Sequence, residues 1–415
     1  VIRFLTWLAG ILLLLALIAG GLLLAGIDRQ PLVDRSPTIS PVAVAQARWL
    51  LLTNDPRRLK PGDARQTAIP AGLVDEGINY AATRFLGGRG ALVLGRDQAE
   101  IRLSLPLPGQ LYLNGSATVG RADGKPRLTG ARLGWLPLPS SLVDLALAAG
   151  LRRAGYQREW QLAYDAIRDL RFEPEHQSLV VSYVWQPAIL ERARAIAIAP
   201  DDLARIRSAH EQLAGLFDHK SAGSRVPLAE VLAPLLDTDG NERMAERRAV
   251  LFVLAAYLSE RNLAALIPEA AGWPRIRPVA PTLFGRFDSA QHFVISAALA
   301  AWAGEPIADA IGLYKELADA RHGSGFSFAD LAADRAGTNF GELLVRHPER
   351  LDDLLAAPFT DSDLAPRIAD LPEYLSMQQF QHRFGDTRSP AYRQLTGEIE
   401  RRIFSLPLYR DIAQP

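Results

Sequence analysis

Apolar residues recur along this chain in three rhythms. The first is an unbroken run: between Phe4 and Ile27 no residue is charged, and leucine, isoleucine and alanine dominate. As a helix at ~1.5 Å per residue the run would reach roughly 36 Å, enough to cross a hydrocarbon core of ~30 Å with some tilt. A cleavable leader is the main rival, but its apolar region is normally only ~7–15 residues long. Ala19-Gly20-Gly21, the possible cleavage site, sits inside the run. The pattern predicts a transmembrane anchor over residues 1–27. Arg3 precedes it, and Asp28, Arg29, Asp34 and Arg35 follow with mixed sign. Such flanks leave the amino terminus in the cytoplasm, so the body is expected in the periplasm, held at a bacterial inner membrane.

The second rhythm has period two. After a proline-bearing stretch, residues 28–41, that reads as a linker, and a short helical pattern at Ala43–Leu52, alternation sets in. Ala99, Ile101, Leu103 and Leu105 share one face, and Leu111, Leu113, Ala117 and Val119 repeat the arrangement. Strands covered on one side read this way. Ala91–Gly95, Arg127–Leu133 and Leu179–Trp185 add further strands, with Asp123-Gly124 as a hairpin turn. Helices are expected at Leu73–Phe85, Ser141–Arg153 and Trp160–Leu170. Residues 42–185 therefore predict an α+β domain. A curved antiparallel sheet wrapped on a long helix leaves an apolar trough, and such a trough can hold an acyl chain.

From Gln186 onward the rhythm is helical, so residues 186–415 predict an all-α domain. Helices are expected at Gln186–Ile198, Asp202–Phe217, Leu228–Leu236, Glu242–Leu258, Asp288–Ala303, Pro306–Arg321, from the Ser327 cap onward, and at Ser389–Phe404. The apolar stretches Ala249–Leu258 and Phe293–Ala303 are too short to span a bilayer and read as core.

Composition narrows the chemistry. The chain has 415 residues and no net formal charge, which gives no reason to expect a nucleic-acid partner. It has no cysteine, hence no disulfide, thiolate zinc site or acylated lipoprotein terminus. There is no His-Glu-x-x-His, Gly-x-Ser-x-Gly, phosphate-binding Gly-x-x-x-x-Gly-Lys or Ser-x-x-Lys.

One cluster stands out. In the helix opening at Asp288, where Gln291 completes a capping box, His292 and Ser296 are the polar residues of an otherwise apolar stretch and share a face. The next helix carries Asp309, Gly312, Glu316 and Asp319 on one face, with Lys315 beside them. The third, capped by Ser327, aligns Asp330, Asp334, Gly337 and Gly341 at the edge of its apolar arc, where the glycines let another helix come near. Candidate catalytic groups are His292, Lys315, Glu316, Asp319, Asp330 and Asp334, and the same set without the lysine could ligate a divalent metal. The plainer reading is a structural network around a satisfied core histidine.

Two resemblances bear on these stretches. Ala131-Arg-Leu-Gly-Trp-Leu-Pro-Leu-Pro-Ser140, with the apolar run and the alternating strands, resembles YpmS-like membrane-anchored envelope proteins. That likeness implies a lipid-facing or scaffold role. Asp288-xxx-His292-Phe293, Gly312-xx-Lys315-Glu316-xx-Asp319 and Phe326-Ser327-xx-Asp330-Leu331-xx-Asp334-xx-Gly337-xxx-Gly341 resemble the core of YfiM-like lipoproteins and, more distantly, VanZ-like membrane proteins. It implies that His292, Glu316, Asp319, Asp330 and Asp334 act as a unit, and names no reaction. The expectation is a single-span, periplasm-facing protein that binds lipid or an envelope partner without catalysis. The alternatives are a metal-dependent hydrolase of an envelope substrate working through the cluster, and a structural assembly factor.

Overall fold

The computed structural model describes residues 26–415 apart from 55–58, 156, 188–199, 239, 241, 261–262, 266, 305–310, 312–314, 316–323 and 410–415. It is α+β with antiparallel sheets and falls into two compact units, residues 1–197 and 198–415. The sequence boundary had been expected at 185/186. Among the described residues no helix is long and apolar enough to cross a membrane. The expected anchor up to residue 25 and the expected helix at Gln186–Ile198, from residue 188, lie outside them.

The first unit is built on two antiparallel sheets. Its elements in chain order are β1 (Ile27–Asp28), α1 (Pro41–Thr53), β2 (Ala64–Pro70), α2 (Ala71–Leu86), β3 (Arg89–Leu94), β4 (Ala99–Leu107), β5 (Leu111–Ala122), β6 (Lys125–Leu133), β7 (Leu136–Leu138), α3 (Ser140–Ala154), α4 (Gln157–Ala166), β8 (Ile167–Glu173) and β9 (Ser178–Val184). Strands β3-β4-β5-β6-β7 form a meander, with β1 paired to β5, and β2-β9-β8 form the second sheet. Register puts the alternating residues in cross-strand rows: Leu92, Ile101, Ala117 and Ala131 make one row, Leu94, Ala99, Val119 and Leu128 the next. The β5–β6 hairpin turns at Asp123 (φ 52°) and Gly124 (φ 79°), the positive angles that a tight right-twisted hairpin requires.

Four expectations need correction here. The stretch 28–41 is no free linker at its start: β1 pairs with β5, Val33 is buried, and its N–H donates to Ser104 Oγ at 2.9 Å. The helix expected through Leu170 stops at Ala166, because buried Leu170 and Phe172 alternate with exposed Arg171 and pair as a strand. Strand β2 carries no strand signal of its own: the consecutive polar residues Arg65, Gln66 and Thr67 break any alternation, and pairing along its whole length with β9 makes it a strand. Strand signals also persist past Gln186, as the short parallel pair β10 (Arg225–Pro227) and β11 (Ala280–Thr282).

The second unit carries the larger core. Its helices include α5 (Pro200–Asp218), α6 (Leu228–Leu236), α7 (Arg243–Leu258), α8 (Phe287–Ala303) and α9 (Phe328–Arg346), followed by Pro348–Leu355, Asp361–Leu364, Met377–Phe384 and Pro390–Phe404. Helices α8 and α9 pack closely because glycines face the seam. A Cβ on Gly337 would fall 2.0 Å from Phe293 O, and one on Gly341 2.2 Å from Ala297 O. The sequence stripe of acids and glycines is thus the contact line itself. The Ser327 cap forms, its Oγ accepting from Asp330 N at 3.0 Å. The capping box expected at Asp288–Gln291 does not: the helix starts at Phe287, Asp288 pairs with Arg286 and Gln291 donates to Leu258 O.

Candidate functional site

The α8–α9 seam holds the histidine cluster. His292 and Ser296, one turn apart on α8, are both buried, as their shared face requires. Across the seam stands buried Asp334 of α9. Its Oδ1 lies 3.1 Å from His292 Nδ1 and accepts from Ser296 Oγ at 2.7 Å. The other imidazole edge, Nε2, lies 2.8 Å from Lys315 Nζ and 3.7 Å from Asp330 Oδ2. Arg286 stands beyond, 4.0 Å from Asp330 Oδ1, and also pairs with Asp288 and Glu373.

Of the sequence candidates, then, His292, Lys315, Asp330 and Asp334 come together. Glu316 and Asp319 lie outside the described residues. Arg286 and Glu373 went unnoticed in the sequence, since Glu373 reaches the site only through the tertiary fold. Thr338, one helical turn beyond Asp334, is likewise buried there.

Electrostatics fix the state of the ring. Burial works against a charge on His292, but the Asp334 and Asp330 carboxylates outweigh it and lift the imidazole to about 9. Burial also pushes the Asp330 carboxyl above its ordinary value, with the nearby imidazole opposing the rise. A carboxylate on Nδ1 fixes that nitrogen as the N–H donor. Lys315 Nζ and Asp330 lie on the Nε2 edge, so the ring links α8 to both Asp334 and Asp330 of α9. Asp334 and Asp330 approach opposite edges of the ring, so these two carboxylates do not converge on one point beside it. Among the described residues no three His, Asp or Glu side chains are placed to hold one ion.

The first unit holds a different kind of site. An apolar trough of about 710 Å³ is floored by Ile101, Ala117, Val119 and Leu128 of the sheet. Val143 and Leu147 of α3 and Trp160 and Tyr164 of α4 wall it. This is the trough expected from the strand alternation, but α3 and α4 form its wall, not the long helix α2. Helix α2 lies against the sheet elsewhere: a Cβ on Gly90 would meet Ile78 Cγ2 at 2.9 Å. Its charged lining residues are Asp123, Lys125, Arg127 and Asp144, and Lys125 Nζ sits 4.8 Å from the Tyr164 ring centroid and 3.9 Å from Asp165. The unit's own core is small, centred on Ala99, Leu170 and Phe172. Among the described residues, large hydrophobic side chains that stay exposed belong to this unit, apart from Met244 and Tyr374.

In comparisons with known proteins, no family model, curated protein or solved structure matches the chain, so its likeness to YpmS-like and YfiM-like proteins rests on the quoted residues alone.

Proposed function

We propose that this is a single-span inner-membrane protein, facing the periplasm, whose first unit binds an acyl chain of an envelope lipid without catalysis. The observation that carries the reading is the trough. Its volume of about 710 Å³ falls within the ~300–1,000 Å³ of small-molecule pockets, and its lining is mostly apolar, with Asp123, Lys125, Arg127 and Asp144 as its charged residues. Burying apolar ligand surface there stabilises a complex by ~25 cal/mol per Å² before association costs. A unit with so small a core and so many exposed hydrophobic side chains gains from such a ligand more than a well-filled domain would.

The histidine cluster serves the second unit's architecture in this reading. Asp334 bonds two α8 side chains at once and so ties the helices together where the glycines bring them close. The test is titration of the full chain with an environment-sensitive fluorescent fatty acid. The reading expects saturable binding that ends when Ala117→Trp fills the trough. Equal binding by the variant would refute it.

A further inference from the structure

The apolar run joins the folded unit at one corner, and Asn114 marks it. Asn114 is buried and its bonds gather several segments. Its backbone N–H donates to Gly26 O and its carbonyl accepts from Gly134 N, each at 2.8 Å. Its side chain accepts from Leu32 N at 3.0 Å and Ser104 Oγ at 2.7 Å, and donates to Gln30 O at 2.9 Å. Strand β1 occupies the edge of β5 at Tyr112 and Leu113, and β6 takes the same edge from Gly115 onward. No spacer separates the last apolar residue, Ile27, from the sheet: Ile27 is itself paired with Leu113.

The same corner carries exposed apolar side chains. Phe85 and Trp135, 75% and 71% exposed, are the most exposed large hydrophobic residues among those described. Trp135 directly follows Gly134. Phe85, next to last in α2, stands three residues before Gly88, where a Cβ would lie 2.4 Å from Leu105 Cδ2, and Leu105 is paired with Leu113. Leu32, bonded to Asn114, is also exposed there. Arg29, Arg84 and Arg132 are exposed beside these residues, against two exposed acids, Asp28 and Asp34. Leu86, next to Phe85 on α2, is exposed as well, and the unit's other exposed hydrophobic residues lie on α1, α3, α4 and β3.

We infer that this end of the sheet sits in the headgroup layer of the bilayer, with Phe85 and Trp135 as its interfacial anchors. The inference rests on the anchor reading of residues 4–27 and deepens it. Aromatic side chains settle at the level of lipid headgroups, and arginines beside them are drawn to anionic lipids. A protein occupant would need to displace the bilayer from the point where the apolar run leaves it. Leu105 and Leu113, paired at this corner, and Leu133, opposite Gly115 in the next row, lie on the same sheet face as Ala117 and Val119, which floor the trough. From Leu113 to Val119 is roughly 20 Å at ~3.4 Å per residue. An acyl chain therefore has an apolar path from the leaflet into the trough, and the ligand is drawn from the membrane itself.

The absence of cysteine allows a direct test, because single-cysteine variants carry no background thiol. The full chain is reconstituted in vesicles of phosphatidylcholine and phosphatidylglycerol with a nitroxide at Leu14→Cys, Phe85→Cys, Trp135→Cys or Val93→Cys. Val93 is an exposed residue toward the opposite end of β3, and it serves as the aqueous reference. Collision rates with oxygen and with a water-soluble nickel chelate report the phase around each label. The expected result is a nickel collision rate at Leu14, Phe85 and Trp135 several-fold below that at Val93. A lipid-phase label at Leu14, with Phe85 or Trp135 as accessible to nickel as Val93, overturns the inference and leaves the anchor standing. An aqueous label at Leu14 overturns both.

Discussion

Gly337→Ala asks a methyl group to occupy space already held by a backbone. The added Cβ would lie 2.0 Å from Phe293 O and 2.8 Å from its carbonyl carbon, short of ordinary contact, which starts near 3.4 Å, by ~1.4 Å. No side-chain rotation relieves a clash with a main chain, so α8 and α9 must part. The residues along the seam, among them Phe293, Ala297, Ala333, Ala336 and Phe340, are fully buried. A gap of ~0.5–1 Å already forfeits a quarter to a half of each dispersion contact. Overpacking costs ~1–3 kcal/mol, and the lost seam contacts add to it, while alanine's better helix propensity returns ~1 kcal/mol. The net expectation is a loss of about 2–4 kcal/mol. Gly215→Ala is the control in the same unit: Gly215 is helical and exposed with nothing within 4 Å, so alanine there should stabilise by ~0.5–1 kcal/mol. Hydrogen exchange on peptides covering 287–303 and 328–346 reads the opening free energy of this unit apart from the first. If Gly337→Ala protects those peptides as well as Gly215→Ala does, the close seam described here is wrong.

The remaining predictions concern charge, tethering and the trough. His292 is raised in the folded state to about 9 from an ordinary 6.5. Its contribution is therefore fully present below pH ~6.5 and lost as pH rises through ~9, at most about 3 kcal/mol. The second unit's urea midpoint should fall over that window, and a flat profile would contradict the reading. Asp334→Asn should bring the imidazole titration, followed by NMR, back to lower pH; an unchanged midpoint would remove Asp334 as the cause. Asn114→Ala strands Leu32 N, Gln30 O and Ser104 Oγ. It should cost ~2–3 kcal/mol locally and speed exchange at Leu32 and Val33, and unaltered exchange would show the corner is held by other contacts. Trp160 stands half exposed at the trough wall. Its emission should move to the blue on acyl binding, and the change should vanish in Trp160→Phe.

Where a local period was strong, the sequence was legible. The alternation at Ala99–Leu105 and Leu111–Val119 became β4 and β5, and Asp123-Gly124 became their neighbouring turn. The acid–glycine stripe of α9 could be placed at a helix seam because two glycines one turn apart beside the apolar arc leave room for another helix. What stayed hidden was decided at long range. Strand β2 has no apolar alternation and exists through β9. Residues 28–33 read as linker because proline and charge surround them, yet β1 pairs with β5 and the side chains of Asn114 and Ser104 tie Gln30, Leu32 and Val33 to the sheet. Within the cluster, helical spacing put His292 with Ser296 and Asp330 with Asp334, and the resemblance to YfiM-like proteins grouped His292 with the acids. Arg286 and Glu373 stayed outside that group, since no period links them to α8 or α9.

The most direct measurement is native mass spectrometry of the full chain released from bacterial membranes, beside Ala117→Trp prepared in the same way. The account predicts a bound species of lipid mass on the wild-type chain that survives gentle activation and is missing from the variant. A wild-type chain that emerges bare, or a lipid retained equally by Ala117→Trp, would contradict acyl binding in the trough.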